Sequence, residues 1–114
     1  MSDTKRAAVY VDIDDTLVRS VGAKRIPVPA TIALVRELHA KGVSLFAWST
    51  AGAEYAHATA ADVGIGECFV AFLPKPTVLI DDRDFATWRV REIHPAQCAG
   101  MTADELLLIR DENK

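Results

Sequence analysis

In this 114-residue sequence, three apolar runs are each followed directly by small polar or acidic residues. Side chains of these types can take part in catalysis or bind a metal ion. In chain order they are Asp12, Asp14, Asp15, Ser49, Thr50, Asp81 and Asp82. Several carboxylates are unfavourable side by side unless a cation neutralises them, and oxygen ligands favour a hard ion such as Mg²⁺. Because protein-bound Mg²⁺ commonly binds phosphate too, these residue types predict a Mg²⁺ site that handles a phosphorylated compound.

One acidic cluster alone would fit a turn in which an aspartate caps a helix. A second acidic pair after another apolar run favours a functional site, provided that the chain brings the clusters together. Parallel strands would do so, because ligands bind outside the carboxyl ends of the strands in open α/β sheets.

The three apolar runs, residues 7–11, 43–48 and 78–80, are interpreted as strands. Their lack of alternation is typical of strands buried on both faces of a parallel sheet. Helices are predicted over residues 29–41 and 53–63, the first with a proline near its start and a glycine after its end. The resulting order of strand, helix, strand, helix, strand predicts an open α/β fold with a mostly parallel sheet.

Other segments are less regular. Thr102 and Glu105 form a capping-box pattern, which predicts a last helix whose Leu106, Leu107 and Ile109 pack on the sheet. Residues 89–94 fit either a short edge strand or an irregular connection. The aromatic residues at 46 and 48 are expected in the core, because they fall within a buried-type strand.

Composition excludes several classes of protein. The length fits one domain over residues 1–114. Thirteen basic against sixteen acidic residues argue against nucleic-acid binding through bulk charge, which leaves nucleic acid only as a substrate. Cys68 and Cys98 have no metal or disulfide spacing and are predicted to be free thiols. The opening segment is too short for a signal peptide or membrane span, so a cytoplasmic protein is expected.

The sequence DIDDT at residues 12–16, after an apolar run, resembles the DxDxT first motif of the haloacid dehalogenase (HAD) superfamily of phosphatases. Ser49 resembles the second motif and residues 81–82 resemble the acidic fourth motif, in the family's order. The resemblance covers residues 7–82 and implies a three-layer Rossmann-like fold. The intervals between motifs leave no room for a cap domain. A small capless member is implied, with an open site for a large or extended phosphorylated substrate or a lid from a second copy.

The resemblance also implies a role for each motif residue. Asp12 would attack phosphorus as the nucleophile, and Asp14 would act as general acid and base. Ser49 would bind the phosphoryl group together with Thr50 and backbone N–H groups of the following turn. Thr16 would hold the turn behind the carboxylates.

The metal ligands are implied by the same resemblance. Mg²⁺ would be held by the Asp12 carboxylate, the Asp14 backbone carbonyl and an acid of the fourth motif. Asp82 is the expected direct ligand there, with Asp81 as a second ligand or as the holder of a metal-bound water.

The family's third motif is a cation, and Lys75 is the lysine in the expected interval. If residues 77–80 form a strand, Lys75 would begin about 20 Å below the acidic end at about 3.3 Å per residue. Either that segment folds back or another cation substitutes, the candidates being Arg19, Lys24 and Arg83. Residues 69–73 and 77–80 cannot both be ordinary parallel strands, because a crossover needs about a dozen residues. The loop over residues 17–25 carries three cations that either steer an anionic substrate or are simply solvated.

Two other functions compete with a phosphatase. A non-catalytic HAD-like module would bind phosphate or Mg²⁺ and regulate a partner. A response-regulator receiver also phosphorylates an aspartate on an open α/β sheet, but its hydroxyl and lysine follow the phosphorylated aspartate, whereas here they precede the second acidic pair.

Overall fold

The computed structural model describes residues 7–112, with side chains through residue 108. Along the chain the elements are β1 (Ala8–Asp12), β2 (Val18–Val21), β3 (Lys24–Pro27), α1 (Pro29–Ala40), β4 (Ser44–Ser49), α2 (Ala53–Asp62), β5 (Ala71–Pro74) and α3 (Ala103–Glu112). The predicted helices at 29–41 and 53–63 and the first two predicted strands are confirmed within a residue or two. Across residues 7–112, no helix is both long enough and apolar enough to cross a membrane.

Three of the strands form a parallel sheet in the order β1-β4-β5. Asp12 lies opposite Trp48, and Ser49 lies opposite Pro74, so the three strands end together. The chain is therefore an α/β protein in which one edge of the sheet collects the residues that follow β1, β4 and β5. This arrangement is the one predicted for the first two clusters of polar residues.

One face of the sheet is packed against the helices. Leu45 and Ala47 of β4 are fully buried, and they alternate with residues that are only half-buried. α1 buries Leu34, Val35 and Leu38, and α2 buries the small residues Ala56, Thr59 and Ala60 against the sheet. Small side chains on α2 let this helix lie close to β4 and β5, which fixes the loop between Ser49 and α2.

The opposite face of the sheet is partly open. Tyr10 stacks on Phe46 with ring centroids 4.9 Å apart and lies 4.8 Å from the ring of Trp48. Tyr10 is 46% exposed, and Phe46 and Trp48 are half-buried. The prediction that these strands are buried on both faces is wrong, since the second face is a half-exposed row of aromatic rings. A third layer over this face stays a prediction.

Residues 18–27 form an antiparallel hairpin rather than the predicted loop. Val18 pairs with Pro27 and Val21 pairs with Lys24, which leaves a two-residue turn at Gly22 and Ala23. Gly22 has φ 61°, the left-handed conformation that such a tight hairpin turn requires. The three cations of this segment, Arg19, Lys24 and Arg25, therefore lie on a defined β-hairpin that follows the turn after β1.

The predicted strand at residues 78–80 is absent. Val78 is 75% exposed and Ile80 is 99% exposed, and neither pairs with another strand. β5 is Ala71–Pro74 instead, and only three residues separate its end from Val78. Such a connection is too short for a parallel crossover, so the expectation that one of the two apolar runs is not a parallel strand is confirmed. Residues 89–94 form no strand either.

The C-terminal helix begins at the predicted cap. Thr102 Oγ1 accepts the N–H of Glu105, and the N–H of Thr102 donates to Oε1 of Glu105. α3 packs on α1, where Glu37 accepts the N–H of Ala103 at 2.9 Å, and Leu107 is buried. The expected packing of Ile109 concerns a side chain outside the described part of the chain, as does the opening segment before residue 7.

Candidate functional site

The chain turns sharply where β1 ends. The carbonyl oxygen of Ile13 accepts the N–H groups of Thr16, Leu17 and Val18, and the Ile13 side chain is fully buried below them. Asp15 takes φ 64°, a conformation that aspartate and asparagine tolerate better than most residues. The buried Ile13 side chain and the left-handed backbone of Asp15 thus hold the turn that carries Asp12 and Asp14.

Asp12 is held by two side chains. Its Oδ1 lies 3.2 Å from Nζ of Lys75, and its Oδ2 accepts a long hydrogen bond of 3.4 Å from the hydroxyl of Thr16. The two charged side chains of the ion pair are 31% and 35% exposed, so each is partly covered and still open to a ligand. Thr16 therefore contacts the first carboxylate of the motif through its hydroxyl.

Lys75 reaches Asp12 because it follows β5 directly. Ser49 and Pro74 are opposite each other in the sheet, and the N–H of Lys75 donates to the Ser49 carbonyl at 3.0 Å. The expected separation of about 20 Å at 3.3 Å per residue is wrong, because it assumed a strand over residues 77–80 instead of 71–74. The alternative cations lie elsewhere in the fold: Arg19 and Lys24 on the hairpin, and Arg83 in the exposed segment.

Ser49 connects the elements around this ion pair. Its side chain is buried, and its Oγ accepts the N–H of Ala51 at 3.0 Å. Its carbonyl accepts the N–H groups of both Gly52 and Lys75. Oγ serves as an acceptor in that turn, which leaves the O–H as a donor, and Ser49 as a whole is 1% exposed. Thr50 is exposed in the same turn.

Gly52 shapes the loop that leads from Ser49 into α2. It has φ 109°, which side chains rarely adopt, and it directly precedes the helix. The N-terminus of α2 consequently lies next to the end of β4, which is the arrangement that favours a bound anion.

Asp14 is exposed, and Tyr55 contacts it. The Tyr55 hydroxyl donates to Oδ1 of Asp14 at 2.6 Å, a short bond between a phenol and a carboxylate. Sequence reasoning missed Tyr55. The signal in the sequence is its place in the first turn of a helix that begins four residues after Ser49, since that turn must face the same sheet edge.

Asp81 and Asp82 lie in a different environment. Both line an open cleft of about 550 Å³ with Trp88 and Arg89, and Oδ1 of Asp81 accepts the N–H of Arg83 at 2.9 Å. The strand that was expected to carry them to the sheet edge is not formed. Their assignment as metal ligands stays a prediction, without the strand that motivated it.

The donor set can be compared with what Mg²⁺ requires. Within residues 7–112, no group of three or more His, Cys, Asp or Glu side chains is placed to hold a metal ion. Mg²⁺ often binds through one or two carboxylates and completes its shell with water and substrate phosphate. The Asp12 carboxylate and the Asp14 backbone carbonyl are oxygen donors that Mg²⁺ accepts, so the first acidic cluster is chemically suited to a Mg²⁺ ion that arrives with a phosphate.

Both cysteines are free and buried, as predicted. Burial raises the pKa of the Cys68 thiol, which keeps it protonated and unreactive at neutral pH. Neither residue offers a competing nucleophile at the strand ends.

Comparison of the chain with protein-family models, with curated proteins and with solved structures yields no match. The functional evidence for this α/β protein is therefore its own strand-end geometry: Asp12 paired with Lys75, Ser49 between them in the sheet, and Asp14 held by Tyr55.

Proposed function

We propose that the chain is a Mg²⁺-dependent phosphomonoester hydrolase of the HAD type, in which Asp12 is the nucleophile and Asp14 the general acid and base. The ion pair between Asp12 and Lys75 at the carboxyl ends of two parallel strands is the observation that carries this proposal. A lysine there serves a reaction in which a carboxylate approaches an anionic phosphoryl group, because it offsets the charge of both.

The reaction has two steps. An Asp12 carboxylate oxygen attacks phosphorus while the bond from phosphorus to the ester oxygen breaks, and Asp14 gives its proton to the leaving alcohol. A water then attacks the aspartyl-phosphate, Asp14 takes the water's proton, and the bond from Asp12 to phosphorus breaks to release inorganic phosphate. The proton that Asp14 gives in the first step returns in the second.

The surrounding groups stabilise charge on the transferring phosphoryl group. Lys75 Nζ lies beside the nucleophile, and the Ser49 hydroxyl can donate to a phosphoryl oxygen. Exposed Thr50 and the N-terminus of α2 add donors on the same side. Preorganised donors of this type act mainly on the transition state, where charge on the equatorial oxygens is spread out.

The Asp12 carboxylate and the Asp14 backbone carbonyl would hold the Mg²⁺ ion, with water and substrate phosphate as the remaining ligands, and the Asp14 carboxylate would stay free for proton transfer. Bound Mg²⁺ would neutralise phosphate charge and help orient the phosphoryl group for attack.

The proposed substrate is a phosphorylated compound that an uncapped edge can admit. Asp14 is exposed and Asp12 is about one-third exposed, which suits the phosphorylated end of a macromolecule or an extended molecule. A small metabolite would need a lid, which a second copy of the chain could supply.

The test is phosphate release by the purified chain with Mg²⁺. The panel holds 4-nitrophenyl phosphate, small phosphorylated metabolites, phosphopeptides, and oligonucleotides phosphorylated at the 3′ or 5′ end. Asp12→Asn is the test variant, and Asp15→Asn is its matched control, since Asp15 is exposed and asparagine tolerates its left-handed backbone.

We expect turnover by the unmodified chain and by Asp15→Asn, and none by Asp12→Asn. If all three bind phosphate equally and none turns it over, the chain is the non-catalytic binding module instead. If activity is restricted to small metabolites and the chain is monomeric, the open-site argument for a large substrate is wrong.

A further inference from the structure

The contact between Tyr55 and Asp14 joins α2 to the turn after β1. The hydroxyl of Tyr55 occupies only Oδ1 of Asp14, at 2.6 Å. An exposed aspartate otherwise turns freely about its side-chain bonds. The phenol therefore fixes which of the two carboxylate oxygens of Asp14 stays open to a ligand, and that oxygen is Oδ2.

Tyr55 is itself held from the hairpin. The guanidinium carbon of Arg25, on β3, lies 5.2 Å from the centre of the Tyr55 ring, which is cation–π geometry. Arg25 also donates to the buried Thr59 hydroxyl at 3.0 Å and pairs with Asp62 at 3.3 Å. The pKa of Arg25 is raised, chiefly by its interaction with Tyr55, so the guanidinium stays charged at all working pH values.

These contacts form one chain from the hairpin to the site. Thr59 and Asp62 lie one and two turns after Tyr55 on α2, so Arg25 is anchored at two points while it covers the tyrosine ring. A ring clamped in this way presents its hydroxyl at one place. These contacts restrict the rotation of the half-buried Tyr55 side chain. Asp14 thereby gains a hydrogen-bond donor at a fixed position.

We propose that Tyr55 is a positioning residue for Asp14, clamped by Arg25, and that it directs Oδ2 of Asp14 to the leaving-group oxygen. This inference rests on the proposed hydrolase function. Asp14 then holds its transferable proton on Oδ2, because Oδ1 is already engaged by the Tyr55 hydroxyl. The proton moves from Oδ2 to the ester oxygen as the bond to phosphorus breaks, and Tyr55 keeps its own proton throughout.

The inference predicts dependence on the leaving group. An alkyl phosphate needs a proton on its departing oxygen, whereas 4-nitrophenolate leaves without one. Misplacing the acid should therefore slow an alkyl phosphate far more than 4-nitrophenyl phosphate. A variant that merely loosens the fold would slow both substrates equally.

The experiment measures kcat/KM of the full chain with Mg²⁺ on both substrates at one fixed pH. Tyr55→Phe removes only the hydroxyl and keeps the ring under Arg25. Tyr10→Phe is the matched control, since Tyr10 lies in the half-exposed aromatic row on the other face of the sheet. Arg25→Gln and the double variant with Tyr55→Phe complete a cycle, because residues that act as one unit are not additive.

We expect Tyr55→Phe to lose about tenfold on the alkyl phosphate and less than about twofold on 4-nitrophenyl phosphate, as for loss of one hydrogen bond to a charged group. Arg25→Gln should show a smaller loss that disappears in the Tyr55→Phe background.

Three results would overturn the inference. Equal losses on both substrates would make Tyr55 a structural residue, and an unchanged Tyr55→Phe would remove its role altogether. An unmodified chain that shows no Asp12-dependent turnover on either substrate would overturn the proposed function, and this inference with it.

Discussion

Two segments of the molecule carry aspartates directly after apolar residues, and they differ in almost every physical respect. Before Asp12, Val11 is buried and each residue of β1 pairs with a residue of β4. Before Asp81, Ile80 is 99% exposed and no strand pairing is formed. The first segment ends at a sheet edge beside a lysine, and the second lines an open cleft.

An apolar run therefore becomes a strand only when the length of chain on either side allows it to pair with a neighbouring strand. Residues 13–43 contain a turn, a hairpin and a 12-residue helix, so β1 and β4 can lie parallel and adjacent. Between β5 and Val78 there are only the three residues 75–77, which are too few for the crossover that a second parallel strand would need. Lys75 directly follows β5, so the pairing of β5 with β4 fixes its position near Asp12.

The greatest difference is expected in stability, between β4, which pairs with β1, and the unpaired apolar run at residues 78–80. Leu45→Ala should lower the free energy of unfolding by about 2–5 kcal/mol, because removing most of this fully buried side chain leaves a cavity. Ile80→Ala should change it by less than about 0.5 kcal/mol, as for an ordinary surface position. Urea unfolding of both variants checks this contrast. A comparable loss for Ile80→Ala would show that residues 78–80 are packed in solution.

The next effect concerns Lys75, the lysine that pairs with Asp12. Lys75→Met should lower kcat/KM for phosphate release by about a hundredfold to a thousandfold, because it removes a preorganised charge beside the reacting phosphoryl group. Lys41→Met is its control, since Lys41 pairs with Asp104 on the far helices. Steady-state kinetics on 4-nitrophenyl phosphate measures both. Near-normal rates in Lys75→Met would mean that the ion pair is structural.

A smaller effect is expected at the end of β4. Ser49→Ala should lower kcat/KM by about tenfold, equivalent to about 1.4 kcal/mol, through loss of one donor to the phosphoryl group. Ser20→Ala on the exposed face of the hairpin should have no effect. Circular dichroism of both variants excludes a folding defect. An unchanged Ser49→Ala would limit Ser49 to holding the turn through Ala51.

The smallest effect is expected in the second acidic segment. Asp82→Asn should change activity by less than about threefold, because surface substitutions generally have small effects and the cleft that Asp82 lines includes neither Asp12 nor Lys75. The dependence of rate on Mg²⁺ concentration gives a second measure. A loss of a hundredfold or more, with weaker activation by Mg²⁺, would bring Asp82 into the metal site as the sequence motif predicts.

Much of the fold could be predicted from local sequence. Proline at the start of α1, Gly42 after its end and the Thr102 cap all mark helix ends by backbone chemistry that acts over a few residues. The two strands joined by α1 could be predicted as well, because the intervening length permits a crossover. The residues of the first two polar clusters then followed from parallel strand geometry.

The features that could not be predicted depend on contacts between residues far apart in the sequence. Residues 71–74 and 78–80 are both short and apolar, and pattern alone does not say which one pairs with β4. Exposure of the aromatic row depends on whether another layer covers it. The Arg25–Tyr55–Asp14 contacts join residues 30 and 41 positions apart, and no local pattern encodes them.

The most direct test of the central assignment is to look for phosphate on Asp12. The chain is mixed with 4-nitrophenyl phosphate and Mg²⁺, quenched in acid within milliseconds, and mapped by peptide mass spectrometry, with Asp12→Asn as the control. The proposed mechanism predicts one acid-stable phosphoryl group on Asp12, absent from the variant. Turnover by the unmodified chain with no phosphoryl group, or with the group on Asp14 or Asp82, would contradict the assignment of Asp12 as the nucleophile.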